Sequence, residues 1–321
     1  FAEVRKARPA RLFLYQDGPR NAGDMPGIEE CRRICADENI DWECEVHRNY
    51  QERNYGCDPS GFMSHRWAFS LTDKCIVLED DVVPSQAFFP FCKEMLDRYE
   101  HDERVTMVAG FNTDETTDLA ADQERSADSY FFTSVFSIWG WASWSRVVNN
   151  WDPDYTFLDN PQQVKSLEDL IARRRYRSAF MQMCRDHKAS GKPYFESIFW
   201  SYMLLHQGLA VMPVKNMINN VGLDGGTHFS TTLRTTPHRL RRIFTMKRHD
   251  IDFPLHHPQF VAEYMPYKDH FYKAWAWGHP WIKVGRSFEE LFLNLRYGNF
   301  RIIVKSIRNR IRKTLGRNKF H

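Results

Sequence analysis

The sequence predicts an α/β fold: a mostly parallel open sheet with helices on both faces, followed by a C-terminal helical tail. Three observations predict it. Short apolar runs alternate with helical patterns through the first half, the order that builds parallel strands joined by crossover helices. Residues 74–78 (KCIVL) form a continuous apolar run, as a strand covered on both faces requires. The chain's 321 residues, 42% hydrophobic and 15% aromatic, supply a core for one large domain or two smaller ones. A disordered chain is excluded, because 10 Trp, 13 Tyr and 24 Phe must be buried somewhere. An integral membrane protein is excluded too, since no apolar stretch approaches the roughly 20 residues that cross a bilayer.

The elements follow in order. Residues 1–8 read as the end of a helix. Residues 11–15 (RLFLY) are strand-like and end in the turn Gln16-Asp17-Gly18-Pro19. A helix is expected over 27–36, a strand over 42–47 and a helix over 59–71 with its apolar residues on one face. After the 74–78 strand, Phe88, Phe91, Met95 and Tyr99 recur at helical spacing, and 105–109 supply another strand. The Trp-rich stretch 139–151 reads as irregular; helical patterns resume near 167–188 and 197–207. With no repeat and no low-complexity linker, the expected division is a main domain over 1–245, an extension packed on it over 246–290, and a tail over 291–321.

The formal net charge of +3 averages two unlike parts. Residues 291–321 hold nine Lys/Arg and no Asp/Glu, leaving 35 basic against 41 acidic side chains, a net of −6, over residues 1–290. An acidic body excludes a nucleic acid gripped across the main domain, because phosphates need a positive field. The seven cysteines, an odd number without a C-x-x-C pair, point to a reduced, cytoplasmic setting, and Cys75 and Cys92 in apolar runs read as buried hydrophobes.

The most informative segment is Val77-Leu78-Glu79-Asp80-Asp81-Val82-Val83-Pro84-Ser85. Three acids directly follow a buried strand, and ligands of open α/β sheets bind at the carboxyl ends of strands. Adjacent carboxylates repel one another, and a divalent cation relieves that repulsion; Mg²⁺ or Mn²⁺ prefers such oxygen ligands and shares them with substrate phosphates. The bland alternative is an acidic turn that caps the next helix, with Pro84 marking its entry.

This segment resembles the acidic motif of GT-A glycosyltransferases, in the E-D-D variant of the N-acetylglucosaminyltransferase I-like group, and more closely bacterial nucleotide-diphospho-sugar (family 2-like) transferases of polysaccharide biosynthesis. The same resemblance is carried by Tyr15-Gln16-Asp17-Gly18-Pro19-Arg20, by Asn54-Tyr55-Gly56-Cys57, by Ile138-Trp139-Gly140-Trp141-Ala142-Ser143-Trp144 and by residues 219–228, in the family's order. It covers about residues 12–229 and implies a Rossmann-like GT-A sheet. Such transferases open with a strand whose turn contacts the nucleotide base; none precedes Arg11, so a missing first strand is expected.

The resemblance assigns roles, each with a plainer competitor. Asp81 is the expected metal ligand, with Asp80 and Glu79 towards the nucleotide; His228, after Gly225-Gly226, is a second metal ligand or simply a solvated loop histidine. Gln16, Asp17, Gly18 and Arg20 are placed at the nucleotide, against an ordinary β-turn. Asn54 and Gly56 line the same pocket, and Arg66 either reaches a phosphate or is an exposed helical arginine. Glu196, at a helix start among aromatics, is the expected base of an inverting transfer, its pKa raised by partial desolvation, or a helix cap. Trp139, Trp141 and Trp144 form a sugar-stacking wall or part of the core.

In the tail, Phe300, Ile303, Val304, Ile307, Ile311 and Leu315 fall at helical spacing between Arg and Lys. A basic amphipathic helix of this kind lies on an anionic membrane, docks on the acidic body, or forms a nucleic-acid arm. The expected function is a metal-dependent hexosyl- or N-acetylhexosaminyltransferase using a UDP-sugar and a glycan or lipid-linked acceptor, peripheral on the inner face of the cell membrane. The alternatives are a sugar-phosphate nucleotidyltransferase, and a non-catalytic carbohydrate- or membrane-binding protein.

Overall fold

The computed structural model describes residues 1–119, 127–223, 232–304 and 308. The chain is a mixed α/β protein. Helix α1 (Ala2–Ala7) precedes strand β1 (Arg11–Gln16); helix α2 (Met25–Ile34) leads to β2 (Glu45–Tyr50), which pairs with β1 in parallel. Helix α3 (Cys57–Phe69) covers the pair, with Trp67 against Phe13 and Tyr15. Then come β3 (Lys74–Val77), β4 (Val82–Pro84), α4 (Phe88–Arg98), β5 (Val105–Ala109), β6 (Tyr130–Thr133), β7 (Trp141–Trp144) and the short α5 (Ser145–Val148). The remainder holds α6 (Pro161–Leu170), α7 (Arg174–Ser190), α8 (Phe195–Leu205), β8 (Leu209–Pro213), β9 (Ile218–Asn220), α9 (His238–Thr245), α10 (Met265–Ala274) and α11 (Pro280–Arg296).

The central sheet has the order β3-β7-β5-β8-β6. Only β5 and β8 run parallel within it; β3 with β7, β7 with β5 and β8 with β6 are antiparallel. The expected mostly parallel sheet is therefore corrected to a mixed one. The reason is local. The Trp-rich segment read as irregular inserts as β7 between β3 and β5, and all four of its residues are buried. A strand buried on both faces shows no alternation, and Gly140 beside it masks the remaining signal.

Where the pattern was clear, the elements form for the expected reason. In α4, Phe88, Phe91, Cys92, Met95 and Leu96 repeat at helical spacing and are all buried under the sheet. The pattern near 167–188 resolves into two helices: Asn160 caps α6 by accepting from the backbone N–H groups of Gln162 and Gln163, and Gly191 closes α7 at φ +66°. One continuous core runs from Phe69 to Tyr272, and Ile251, Leu255, Tyr267 and Phe271 from the 246–290 segment belong to it. Among the described residues, no helix is long and apolar enough to cross a membrane.

Candidate functional site

The chain leaves β3 at Leu78 and turns back through Glu79, Asp80 and Asp81, closed by the Val82 amide donating to the Glu79 carbonyl at 3.1 Å. The turn feeds β4, which pairs antiparallel with β9, so the acids cap no helix; α4 begins only at Phe88. Pro84 ends β4, and Ser85 continues the contact by donating its N–H to the Met217 carbonyl at 2.8 Å. Beyond β9, the Val221 amide donates to the Asp81 carbonyl at 2.8 Å. A β-carbon at Gly222 would collide with the Asp81 carboxylate, so glycine is what lets the two segments meet there.

The electrostatics identify what surrounds this turn. The Glu79 carboxyl is pushed up to about 8, first by burial, then by the charges of Asp81, Asp80 and Glu196. The three carboxylates act on Glu79 in the same direction as its burial. Glu196, distant in sequence, is thus near enough for its charge to act on Glu79. It sits exposed on the first turn of α8, where the helix N-terminus favours a carboxylate. Its exposure corrects the expected desolvation. Packing explains its position: Phe195 lies so close to α3 that a β-carbon at Gly61 would come within 2.7 Å of its ring.

Two residues near this site carry no role assigned from the sequence. Cys57, exposed as the first residue of α3, has its thiol pushed up to about 11, first by partial desolvation and then by the charges of Asp58, Glu79, Asp80 and Asp81. Tyr176, on α7, is half-buried; it senses the Glu196 charge and stacks on Trp277 at 4.6 Å. A lone cysteine and a tyrosine among arginines carry no sequence signal for this placement; only the approach of α3, α7 and α8 creates it.

The β1 turn is assembled differently from the expectation. The Asp17 carboxylate accepts from the amides of Gly18 (2.9 Å), Tyr55 (2.9 Å) and Gly56 (3.0 Å), and from Asn54 Nδ2 (2.9 Å). Asn54 Nδ2 also donates to the Gly18 carbonyl, and a β-carbon at Gly18 would lie 2.5 Å from the Arg53 backbone. Asp17, Gly18, Asn54 and Gly56 do come together, as a staple between the ends of β1 and β2. Gln16 is held by α2, its Oε1 accepting from Arg32 at 2.9 Å. Arg20 is engaged in a two-pronged ion pair with Asp24.

Three of the candidate side chains are engaged by the scaffold. Trp141 and Trp144 are 1% and 2% exposed. Trp141 packs among His65, Trp151 and Phe199, and Trp144 Nε1 donates to the Leu96 carbonyl at 3.1 Å, so neither presents a face for stacking. Arg66 Nη1 donates to the carbonyls of Val148 (3.2 Å) and Asn149 (2.6 Å), closing the end of α5. Trp139 alone of the three indoles is half-exposed, beside Phe111, Phe244 and Trp275.

Among the described residues, no three His, Cys, Asp or Glu side chains converge as a metal-holding group, and His228 lies outside those residues. The chemistry of the acidic turn nevertheless fits a hard divalent cation: its donors are all carboxylate oxygens, and their mutual repulsion is visible in Glu79. Mg²⁺ in particular is commonly held by one or two carboxylates, with water and substrate phosphates completing the shell. No protein-family model matches this chain, and no curated protein matches it.

Proposed function

We propose that the chain is a metal-dependent glycosyltransferase of GT-A type that moves a sugar from a nucleotide diphosphate, UDP being the expected carrier, to a glycan or lipid-linked acceptor with inversion. The observation that carries this reading is that α8 packs on α3 with Glu196 close enough for its charge to act on Glu79 of the acidic turn. An inverting transfer needs a charged anchor for the diphosphate and, separately, a carboxylate base for the acceptor; this arrangement supplies both. A divalent cation bound at Asp81 and Asp80 would stabilise the departing diphosphate as a Lewis acid. Glu79 would lie towards the nucleotide.

Glu196 is the proposed catalytic residue. Its carboxylate takes the proton of the acceptor hydroxyl as that oxygen attacks the anomeric carbon. The new C–O bond forms on one face while the bond to the diphosphate breaks on the other, and the proton ends on Glu196. Glu196 is exposed on the first turn of α8, on the surface from which an acceptor would approach. Trp139 remains the candidate stacking surface, and the Tyr176–Trp277 stack offers a second one on the Glu196 side.

The test is calorimetric titration of the 321-residue chain with UDP, with and without Mn²⁺, repeated on Asp81→Ala. Mn²⁺-dependent UDP binding that Asp81→Ala abolishes is the expected result; binding indifferent to both the ion and the substitution refutes the assigned site. Glu196→Gln should retain UDP binding and lose transfer by about 10²–10⁴-fold, the span typical of a general base. Transfer at the unmodified rate removes Glu196 from the mechanism.

A further inference from the structure

Nine of the sixteen large apolar side chains that are exposed among the described residues lie between Trp281 and Val304. Six belong to α11: Trp281, Val284, Phe288, Leu291, Phe292 and Leu295. At 100° per residue these positions fall within an arc of about 100°, one stripe along the helix. Trp281 is 83% exposed, Phe288 68% and Phe292 61%. A fully packed helix would bury such a stripe.

The opposite side of α11 is anchored. Arg286 donates to the Ala274 carbonyl, Glu289 accepts from the His238 amide at 2.7 Å, and Asn294 is buried. The helix is thus held to the body by this side, which also carries the half-buried Ile282 and Leu293, and turns its larger apolar stripe outward. The apolar face also begins earlier than the tail expected at 291–321. Of that tail's own apolar residues, Phe300 and Val304 continue the exposed surface and Ile303 is half-buried, while Ile307, Ile311 and Leu315 lie outside the described residues.

We propose that this face of α11 docks on an anionic lipid bilayer, lying flat in the headgroup region. Charge selects the occupant. In sequence, the nine Lys/Arg of residues 291–321, unaccompanied by any acid, overlap and follow the stripe, whereas residues 1–290 carry a net −6. Two copies meeting face to face would bring their cationic segments together, which opposes self-association. An anionic bilayer accepts both features: Trp, Phe and Leu enter the interface while Lys and Arg meet the headgroups. An indole at the leading end suits this position, since Trp settles at the boundary between lipid and water. The inference is independent of the transferase reading, because none of these residues contributes to the acidic site.

The experiment is co-sedimentation of the 321-residue chain with vesicles of phosphatidylcholine alone and of phosphatidylcholine with phosphatidylglycerol in equal parts. The unmodified chain should pellet with the anionic vesicles. The pair Phe288→Glu and Phe292→Glu should weaken partition by about tenfold or more, the order expected when two buried aromatics are lost from an interfacial helix. Phe260→Glu, equally exposed but off the helix, should leave it unchanged. Circular dichroism checks that the double variant folds; if it does not, Phe288→Ser with Phe292→Ser takes its place. Failure of the unmodified chain to pellet, or binding that ignores the double substitution, overturns the proposal. So does a dimer in analytical ultracentrifugation that the substitutions make monomeric, since a second copy then covers the face. Binding of UDP with Mn²⁺, measured on the same samples, should be untouched, so failure here and failure of the active-site reading are told apart.

Discussion

His65 shows how one side chain's surroundings become a measurable property. It is buried on α3 against Trp141, Trp151 and Phe195, and burial pushes its imidazole down to about 3. The unfolded chain takes up a proton at His65 near its ordinary value of about 6.5, while the folded one does not until near pH 3. Stability is therefore undiminished by this group above pH 6.5 and falls below it, by up to about 1.4 kcal/mol per pH unit. His65→Phe should flatten urea-unfolding stability between pH 7 and pH 5; an unchanged slope would mean that other groups control it. Asp17 makes a second residue-scale prediction. Its four hydrogen bonds tie the ends of β1 and β2, so Asp17→Ala should cost about 1–3 kcal/mol by leaving backbone donors unmet. A stability within experimental error of the original chain would contradict the staple.

At the scale of elements, β7 and the β4–β9 pair decide the site. Val77 of β3 faces Trp141 of β7, which holds the base of the acidic turn against the core, so Trp141→Ala should destabilise by about 3–5 kcal/mol. Trp139→Ala should leave the fold intact and weaken use of the acceptor, a contrast that a thermal melt and an acceptor KM would show. The β9 exit offers a finer test. Gly222→Ala forces the Asp81 carboxylate aside, and it should abolish Mn²⁺-dependent UDP binding while changing the melting temperature little. Retained binding would place the ion elsewhere. The strand following the acids explains why the sequence suggested a helix cap: three residues of β4, two of them Val, carry too short a pattern to announce a strand, and Pro84 resembles helix punctuation.

At the scale of the whole molecule, charge is divided between an acidic body and a basic C-terminal segment, with the exposed face of α11 at the junction. Vesicle binding should weaken as salt rises, because screening shortens the reach of the Lys/Arg cluster to a few ångströms. The apolar contribution of α11 should persist in high salt, so the Phe288→Glu and Phe292→Glu pair should matter at every ionic strength. Salt-independent binding would assign the attachment to the apolar stripe alone. The acidic turn and α11 belong to separate parts of the chain, so donor binding and surface attachment should fail separately under substitution.

The sequence by itself determined the α/β class, the helix α4, the strand β5 and the presence of three acids at the end of β3. Each rests on local chemistry: residues close in sequence, a regular period, or a run of one charge. The tertiary structure alone decided the rest. Strand order depends on which distant segments find each other, so β7 entered the sheet antiparallel although its own residues show no period. Burial placed Trp141 and Trp144 in the core, and the carbonyls at the end of α5 engage Arg66. The approach of α3 and α8 let the charges of the acidic turn act on Cys57 and that of Glu196 act on Glu79, an electrostatic neighbourhood that exists only once the chain has folded. For α11, the helical period of its apolar residues is written in the sequence, but whether that stripe faces the core or the solvent is set by the polar contacts that anchor its other side.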